Sequence, residues 1–496
     1  MGMNQKLFSF GDVPFASPYN VIGREECRNF YMERSISQTS KVSSYYISVP
    51  GLKMYAPKTT SNSCRGLYKT GDSRLFQVHG NKFEEILQNG TRVLRGEITT
   101  YTGIVNFSSN TYQLVFVDGE FGYCLDLATN KFSKIDENTF PNGASHITNI
   151  DTYFLVNVPN TNIFRWSSSN NGLLWDPLDF ATKEGLNSEV IVAIKELHNQ
   201  LWVFGSTSTE VFYDSGNFDT QVWQRIEGSS FEIGCAAKNS VAKIENNIFW
   251  LGYDKIGHFE IYSNEGLNPV VISTRGIEQL IDRETGGKFD DAIGYSYSQD
   301  GHNFYILQLM SSNLTVVYDT TTKAWHVRSN RTWDGNNVKW RAIFQSFVWG
   351  KNILGDLYTN ALYTTDMNYY QNDDPENLTK PTYIIRERTT PIIQSNQKDI
   401  FHASFEVLFE MGVGLNNNNA LNFGKDPQVI LNTSNNSGIT WSNNKYRSIG
   451  KIGNYTIRAK FNRLGRSRNR VYKVTVTDPV KVVLIGFVID VYEGNN

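Results

Sequence analysis

The stretch IVAIKELHNQLWVFGSTSTEVFYDSG, residues 191–216, contains three short apolar segments separated by polar turns. Asn199-Gln200 form the first turn, and the segment LWVF that follows at 201–204 is apolar at every position. Short segments rich in Val, Phe, Tyr and Trp, bounded by Asn, Gly and Ser, are typical of β-strands. Because the middle segment is continuously apolar rather than alternating, the sequence predicts a strand that is buried on both faces.

The same order of segments recurs along the chain, in units that begin near residues 66, 104, 146, 191, 240, 292 and 341. A period of about 40–50 residues with several short strands matches one blade of a β-propeller. The sequence therefore predicts an all-β protein with a β-propeller of six or seven blades over residues 51–365. Leu201, Val203, Phe249 and Leu251 are expected to be buried between blades. One or two β-sandwiches are the alternative, but seven similar units in series fit sandwiches poorly.

Two flanking regions lack the repeat. Residues 1–50 form a polar leader that is too short to hold a core, yet it carries spaced aromatic residues that favour burial. We expect this extended leader to pack on the C-terminal domain or on a neighbouring subunit. Residues 366–496 are predicted to form a β-rich platform domain, after a linker at 372–381 and with a flexible loop at 416–419.

The composition limits the classes of function. The chain has 496 residues, of which 40% are hydrophobic, so it can bury a sizeable core. A net charge of −2 argues against general nucleic-acid binding and leaves only local basic patches for that role. The four cysteines form no CxxC pair, which predicts buried thiols rather than a zinc site or a disulfide framework. We expect no cofactor, no metal, no signal peptide and no membrane-spanning segment, and hence a soluble protein.

Two segments match the Asp-box pattern S-x-[DN]-x-G-x-x-W, at 168–175 (SSNNGLLW) and at 434–441 (SNNSGITW). Each predicts a tight hairpin turn in which Gly supplies a positive φ, Ser and Asn satisfy backbone groups, and Trp anchors the turn on the sheet. The motif carries no catalytic chemistry. Its residues are Ser168, Asn170, Gly172 and Trp175 in the first segment, and Ser434, Asn436, Gly438 and Trp441 in the second.

The C-terminal region contains a strongly basic segment. Residues 427–477 include ten Lys or Arg and no Asp or Glu. Alternation at 455–461, a turn at Gly465 and an apolar return strand at 472–476 predict a hairpin with a basic face and a basic tip. Such a hairpin suits sequence-independent contact with DNA phosphates, contact with an acidic neighbouring subunit, or plain solvation. The candidate residues are Arg458, Lys460, Arg463, Arg466, Arg468 and Arg470.

We find no catalytic motif in the sequence: P-loop, HExxH and GxSxG patterns are all absent. Adjacent carboxylates such as Glu84-Glu85 point to opposite faces of a strand and make a poor acid–base pair. The protein is therefore predicted not to be an enzyme. A sialidase-like glycoside hydrolase is the alternative, because Asp-boxes and propellers occur together there, but it needs arginines and carboxylates in the propeller mouth. A surface propeller that binds carbohydrate or a receptor is a further alternative.

Several segments together resemble the packaged-DNA stabilisation protein, or tail hub, of short-tailed bacteriophages. They are ECRNFYMERS at 26–35, SSYYISVPGLKMYA at 43–56, WQRIEGSSFEIGCAAKNSVAKIENNIFWLG at 223–252, VVISTRGIEQLI at 270–281, DPQVILNTSNNSGITW at 426–441 and RLGRSRNRVYKVTVTDPVKVVLIG at 463–486. The last segment is the most specific, and the order of segments is that of the family across nearly the whole chain.

The resemblance implies a structural virion protein of the phage tail, synthesised in the host cytoplasm. It implies a propeller that carries a platform domain, and a homo-oligomeric ring, expected to be a hexamer. It also implies a portal-side adaptor above the ring, a tail needle or plug, tail tip or fibre proteins below it, and double-stranded DNA that passes through without sequence recognition. The expected role is to retain packaged DNA and to release it on ejection.

Overall fold

The computed structural model describes residues 6–17, 19, 25–35, 41–184, 189–217, 222–254, 256–332, 334–416 and 423–494. The predicted leader and the predicted loop at 416–419 lie partly outside these residues. The leader contributes β1 Lys6–Phe8, β2 Cys27–Arg28, β3 Phe30–Arg34 and β4 Ser44–Ser48, and β5 Gly51–Ala56 follows it.

The middle of the chain folds into consecutive antiparallel sheets, as the repeated units predict. The first four sheets are β6 Cys64–Lys69, β7 Leu75–His79, β8 Lys82–Ile86 and β9 Arg92–Glu97; β10 Asn106–Ser109, β11 Gln113–Val117, β12 Gly122–Asp126 and β13 Phe132–Lys134; β14 Ile147–Ile150, β15 Tyr153–Asn157, β16 Ile163–Ser168 and β17 Asn171–Thr182; and β18 Ala193–Leu197, β19 Gln200–Phe204, β20 Thr209–Asp214 and β21 Trp223–Phe231.

The fifth sheet divides its innermost strand around a 3-10 helix, and an α-helix separates it from the sixth. The fifth sheet contains β22 Gly234–Cys235, β23 Ala242–Ile244, β24 Asn247–Tyr253, β25 Phe259–Glu265 and β26 Asn268–Val271, with the 3-10 helix Lys238–Ser240 between β22 and β23. After α1 Arg275–Thr285, the sixth blade is formed by β27 Ile293–Gln299, β28 His302–Leu309, β29 Leu314–Asp319 and β30 Ala324–Val327. The next strands are β31 Ser329–Arg331, β32 Asn337–Lys339, β33 Ala342–Val348, β34 Lys351–Asp356 and β35 Leu362–Asp366. Thr274 caps α1 by accepting a hydrogen bond from the Ile277 N–H.

A seventh blade closes the ring with a strand from the other end of the chain. β5 pairs with β35 and becomes the outer strand of the sheet β33-β34-β35-β5. Within the described residues, seven antiparallel blades of this kind follow one another along the chain, and they confirm the prediction of an all-β propeller. The four predicted core residues are at most 2% exposed, and they pack between blades three and four and between blades five and six.

The C-terminal part forms a β-sandwich. Its strands are β38 Arg386–Thr389, β39 Ile400–Phe409, β40 Gln428–Ser434, β41 Lys445–Ser448, β42 Ala459–Asn462, β43 Arg466–Ser467, β44 Val471–Val476 and β45 Val483–Glu493. One sheet has the order β3-β4-β45-β39-β42, with β1 on β45 and β43 on β39. The other contains β38-β44-β40-β41. Leader side chains such as Phe30 and Tyr46 fill the core between them, because they share a cluster with Phe405 and Val474.

Propeller and sandwich are joined by backbone hydrogen bonds. β2 pairs in parallel with β30 of blade six and antiparallel with β38, so one nine-stranded sheet runs through both parts. The predicted linker at 372–381 is also held in place by strand pairing, because β36 Gln371–Asn372 pairs with β37 Thr382–Tyr383 at its two ends. The Asp373 carboxylate accepts a hydrogen bond of 2.7 Å from the Met54 N–H. These bonds fix the orientation of the sandwich on the propeller.

Candidate functional site

The basic segment does not form the predicted hairpin. Strand β42 begins only at Ala459 and pairs with β39, whereas β44 pairs with β38 and β40 in the opposite sheet. After β43, which still pairs with β39, residues 468–470 therefore cross from one sheet of the sandwich to the other. The prediction is wrong because alternation of side chains identifies a strand but carries no information about its partner.

Of the six candidate residues, Arg470 is buried instead of exposed at the surface. Its side chain is 1% exposed and donates hydrogen bonds to the Leu464 carbonyl (2.9 Å) and to Ser467 Oγ (3.1 Å). The guanidinium also lies 5.7 Å from the centre of the Tyr472 ring. Arg470 thus holds the crossing segment in place, and it has no access to a phosphate.

The other five candidates lie on one side of the sandwich. Arg458 forms a two-pronged ion pair with the Glu406 carboxylate, and its side chain is still 62% exposed. Arg463 is exposed in a turn with a φ of 58°. Lys460 is partly buried beside them on β42.

Arg466 and Arg468 lie close to the same acidic residue. Their side chains approach the Asp399 carboxylate at 3.9 and 3.6 Å, and both remain about two-thirds exposed, at 64% and 67%. One carboxylate therefore faces two guanidinium groups. Exposed pairs of this kind are weak and leave the arginines available to other anions.

Two further cations extend this surface. Strand β41 places Arg447 next to β42, where its Nε donates to the Lys460 carbonyl at 2.9 Å and its guanidinium covers the Phe461 ring. Lys445 is exposed on the same strand. Both residues belong to the basic segment but are not among the predicted site residues, because only the folded sandwich brings the edges of β41 and β42 together.

We define the basic surface as the exposed or partly exposed cations contributed by β41, by β42 and by the residues directly before and after β42. In the described residues, the carboxylates that pair with it are those of Glu406 and Asp399, so positive charge is in excess. Its members are Lys445, Arg447, Arg458, Lys460, Arg463, Arg466 and Arg468.

The first Asp-box forms the turn between β16 and β17, but its glycine has a different role from the predicted one. Asn170 takes the positive φ, at 54°, and no positive φ occurs at Gly172. A side chain at Gly172 would overlap Val115 of blade two, so glycine is required there for close packing. Trp175 is buried, and its indole N–H donates to the Gly172 carbonyl at 2.8 Å. Ser168 pairs with Asn171 in the same turn.

The second Asp-box lies in the sandwich, in the loop between β40 and β41. Here Gly438 has a φ of 83°, and its N–H donates to Ser434 Oγ at 2.8 Å. Asn436 accepts a hydrogen bond of 2.9 Å from the Thr440 N–H. Trp441 is only partly buried, and the Lys473 ammonium lies 4.6 Å from the centre of its ring. Both Asp-boxes therefore stabilise turns.

The described residues at the centre of the propeller do not form a sialidase-like site. A cavity of about 260 Å³ lies on the axis, enclosed by the innermost strands of six blades, and we call it the axial cavity. Its described lining contains three lysines but no Arg, Asp or Glu. Glycoside hydrolysis requires a pair of carboxyl groups at the scissile bond, so this lining does not fit that chemistry. No group of three or more potential metal ligands occurs in the part of the chain that the structure describes.

The fold and the basic surface define a protein in which a β-propeller is joined through a shared sheet to a charged β-sandwich. Among the described residues, no helix combines the length and apolar character needed to cross a bilayer. The chain belongs to the bacteriophage P22 Gp10 family of phage DNA-stabilisation (tail hub) proteins: the β-propeller of that family matches residues 29–370, and its β-sandwich matches residues 385–492. It is thus a member of a family of structural phage proteins, which implies a location in the virion tail.

Solved structures resemble the propeller only distantly. The N-terminal domain of Nup159 is 12% identical, with a TM-score of 0.39, and the match covers 68% of this chain and 97% of that one. The WD40 β-propeller domain of Doa1 is 8% identical, with a TM-score of 0.37 and coverage of 64% and 97%. The computationally designed Ika8 protein is 8% identical, with a TM-score of 0.38 and coverage of 63% and 100%. The sequence matches no protein among the curated ones compared.

Proposed function

We propose that this chain forms the hub, or nozzle, of a phage tail, without enzymatic activity. In this proposal a homo-oligomeric ring, a hexamer, continues the DNA channel below the portal and its adaptor. It retains packaged double-stranded DNA and lets it pass on ejection, with tail needle, tip or fibre proteins below. The observation that carries the proposal is the family match over both the propeller and the sandwich.

The size of the axial cavity supports a channel between subunits rather than through one subunit. The cavity has a volume of about 260 Å³. The major groove of B-DNA alone is about 12 Å wide, so a duplex does not fit there. A DNA channel built from this chain must therefore be enclosed by several copies of it.

The basic surface supports contact with DNA that slides. Phosphate contacts by Lys and Arg are independent of sequence and are screened by salt, so they restrain DNA without fixing its register. Arg466 and Arg468 are exposed and share one carboxylate, which leaves positive charge for such contacts. In a ring, each of these side chains is repeated in every subunit. We propose that the basic surface faces the lumen or a subunit seam beside it.

Electron cryo-microscopy of the virion tail tests the ring, and a double variant tests the surface. A six-fold ring of this chain on the tail axis is expected, and a tail that contains the chain in any other arrangement contradicts the proposal. Replacing Arg466 and Arg468 with Gln should leave ring assembly intact and alter DNA retention or the rate of ejection. Arg283→Gln, which removes an exposed arginine of α1 in the propeller, is the matched control.

The rival outcome of this experiment is a contact between proteins. If the double variant fails to assemble on the adaptor, and wild-type assembly is lost at high salt, the basic surface pairs with acidic residues of an adjacent subunit or of the adaptor. The proposal that it faces DNA would then be wrong, while the family assignment would stand.

A further inference from the structure

The axial cavity brings together cations that are distant in sequence. Lys195 comes from β18 of blade four, Lys238 from the 3-10 helix of blade five, and Lys243 from β23 of the same blade. The described residues that line the cavity include no carboxylate. Asn106, on the innermost strand of blade two, adds an amide to the wall.

The three lysines differ in how their charge is compensated. Lys243 Nζ lies 2.7 Å from the Glu196 carboxylate and is paired. Within the described residues, neither Lys195 nor Lys238 forms a salt bridge. Burial lowers the pKa of Lys195, the nearby Lys243 ammonium lowers it further, and Glu196 opposes both effects. Lys195 therefore lies beside a second ammonium group without an ion pair of its own, at a cost in free energy that a bound anion would offset. Lys238 is exposed.

Neutral contacts hold this arrangement in position. His146 of blade three is buried, and Lys195 and Lys238 lie close to it; burial lowers the pKa of His146 to about 4. Its imidazole is thus uncharged at neutral pH, and Nε2–H donates to the Lys238 carbonyl at 2.9 Å. Nδ1 accepts from the Ser145 hydroxyl at the same distance, 2.9 Å. These bonds fix the backbone at Lys238 without adding a carboxylate to the cavity.

The opposite wall contains a strained residue. The pairing of β33 with β34 shifts register between Ile343 and Gln345, which leaves Phe344 in a bulge. Phe344 has a φ of 52° and lines the axial cavity. A bulky residue is strained in this conformation, and such residues cluster at ligand sites, where the strain shapes the pocket.

We propose that the axial cavity binds a small oxyanion that carries a phosphate group, with Lys195 and Lys238 as its cationic ligands. A volume of about 260 Å³ holds roughly eight to nine waters at about 30 Å³ each, which accommodates a phosphate with part of its hydration or a small phosphate ester. The ligand would connect blade four to blade five from inside the ring. This site is separate from the basic surface and is independent of the proposed function.

Titration with inorganic phosphate tests the site, by isothermal calorimetry and by the thermal midpoint at constant ionic strength, with chloride as the balancing ion. We expect saturable binding to the full chain. Lys195→Met should weaken it about tenfold or more, since a charge-assisted hydrogen bond is lost, and Lys238→Gln should weaken it to a lesser extent. Lys131→Gln, at an exposed turn of blade two, should bind as the wild type does.

A second measurement keeps the test independent of folding defects. Without phosphate, Lys195→Met should unfold at the same or a higher temperature than the wild type, because it removes an unpaired ammonium. A parallel titration uses glucose 1-phosphate. Tighter binding than that of inorganic phosphate identifies a phosphate ester as the ligand, and weaker binding identifies the free ion. No saturable binding of either probe, or equal binding by a folded Lys195→Met, overturns the proposal.

Discussion

His302 should make the stability of this protein fall as the pH rises above neutral. The imidazole lies in blade six between two carboxylates, with Nδ1 2.7 Å from Asp319 and Nε2 2.9 Å from Glu33 of the leader. Its side chain is 3% exposed. Burial lowers the pKa of His302, but the hydrogen bonds and charges of Asp319 and Glu33 outweigh it and raise the pKa from 6.5 to about 9. Each nitrogen then donates to one carboxylate, and the leader is fastened to the propeller.

The size of the effect follows from the change in pKa. A rise from 6.5 to about 9 corresponds to about 3 kcal/mol, at about 1.4 kcal/mol per unit. Because the pKa is raised in the folded state, this stabilisation is complete below pH 6.5 and is lost as the pH rises to about 9. Glu33→Gln removes one of the two carboxylates and should reduce the loss without abolishing it.

Urea unfolding followed by tryptophan fluorescence at pH 6, 7.5 and 9 measures the effect. The wild type should lose about 3 kcal/mol of unfolding free energy over this range, and His302→Gln should lose far less. His198→Asn is the matched control, because His198 is exposed and its positive φ of 54° suits Asn. The same pH dependence in wild type and His302→Gln would contradict this role of His302, as would equal detachment of the leader from the propeller in the two proteins.

Three further outcomes follow from individual residues. Arg470→Leu should lower the unfolding free energy by about 2–4 kcal/mol, since buried hydrogen-bond acceptors lose their donor, whereas Arg466→Gln should change it by less than about 1 kcal/mol; urea midpoints compare the two. Gly172→Ala should cost about 1–3 kcal/mol through overpacking, and Gly71→Ala, which has open space around it, should not. The unfolding free energy should fall as the pH drops from 6.5 toward about 4. Folding lowers the pKa of His146 to about 4, so in this range the unfolded chain binds a proton that the folded chain does not. A flat acid profile in thermal scans would contradict this.

The blades could be predicted from local features of the sequence. Strand period, turn residues and a continuously apolar second strand are local properties, so the segment around Leu201 predicted its own burial and that of its counterpart around Phe249. The closure of the ring was not local, because β5 pairs with β35 about 300 residues later in the chain. Both Asp-box turns were likewise visible in sequence, but the packing need of Gly172 depends on Val115 of another blade.

The composition of the two charged sites could not be predicted from the sequence. The basic segment had the pattern of a hairpin, yet its strands joined opposite sheets and Arg470 became buried, because strand partners are set by the whole sandwich core. Nothing in the sequence around Lys195 and Lys238 marks them as a pair, and they line one cavity only because the closed propeller brings the inner edges of its blades toward one axis. Local pattern encodes which elements form and which face each buries; convergence of side chains from different elements requires the packed fold.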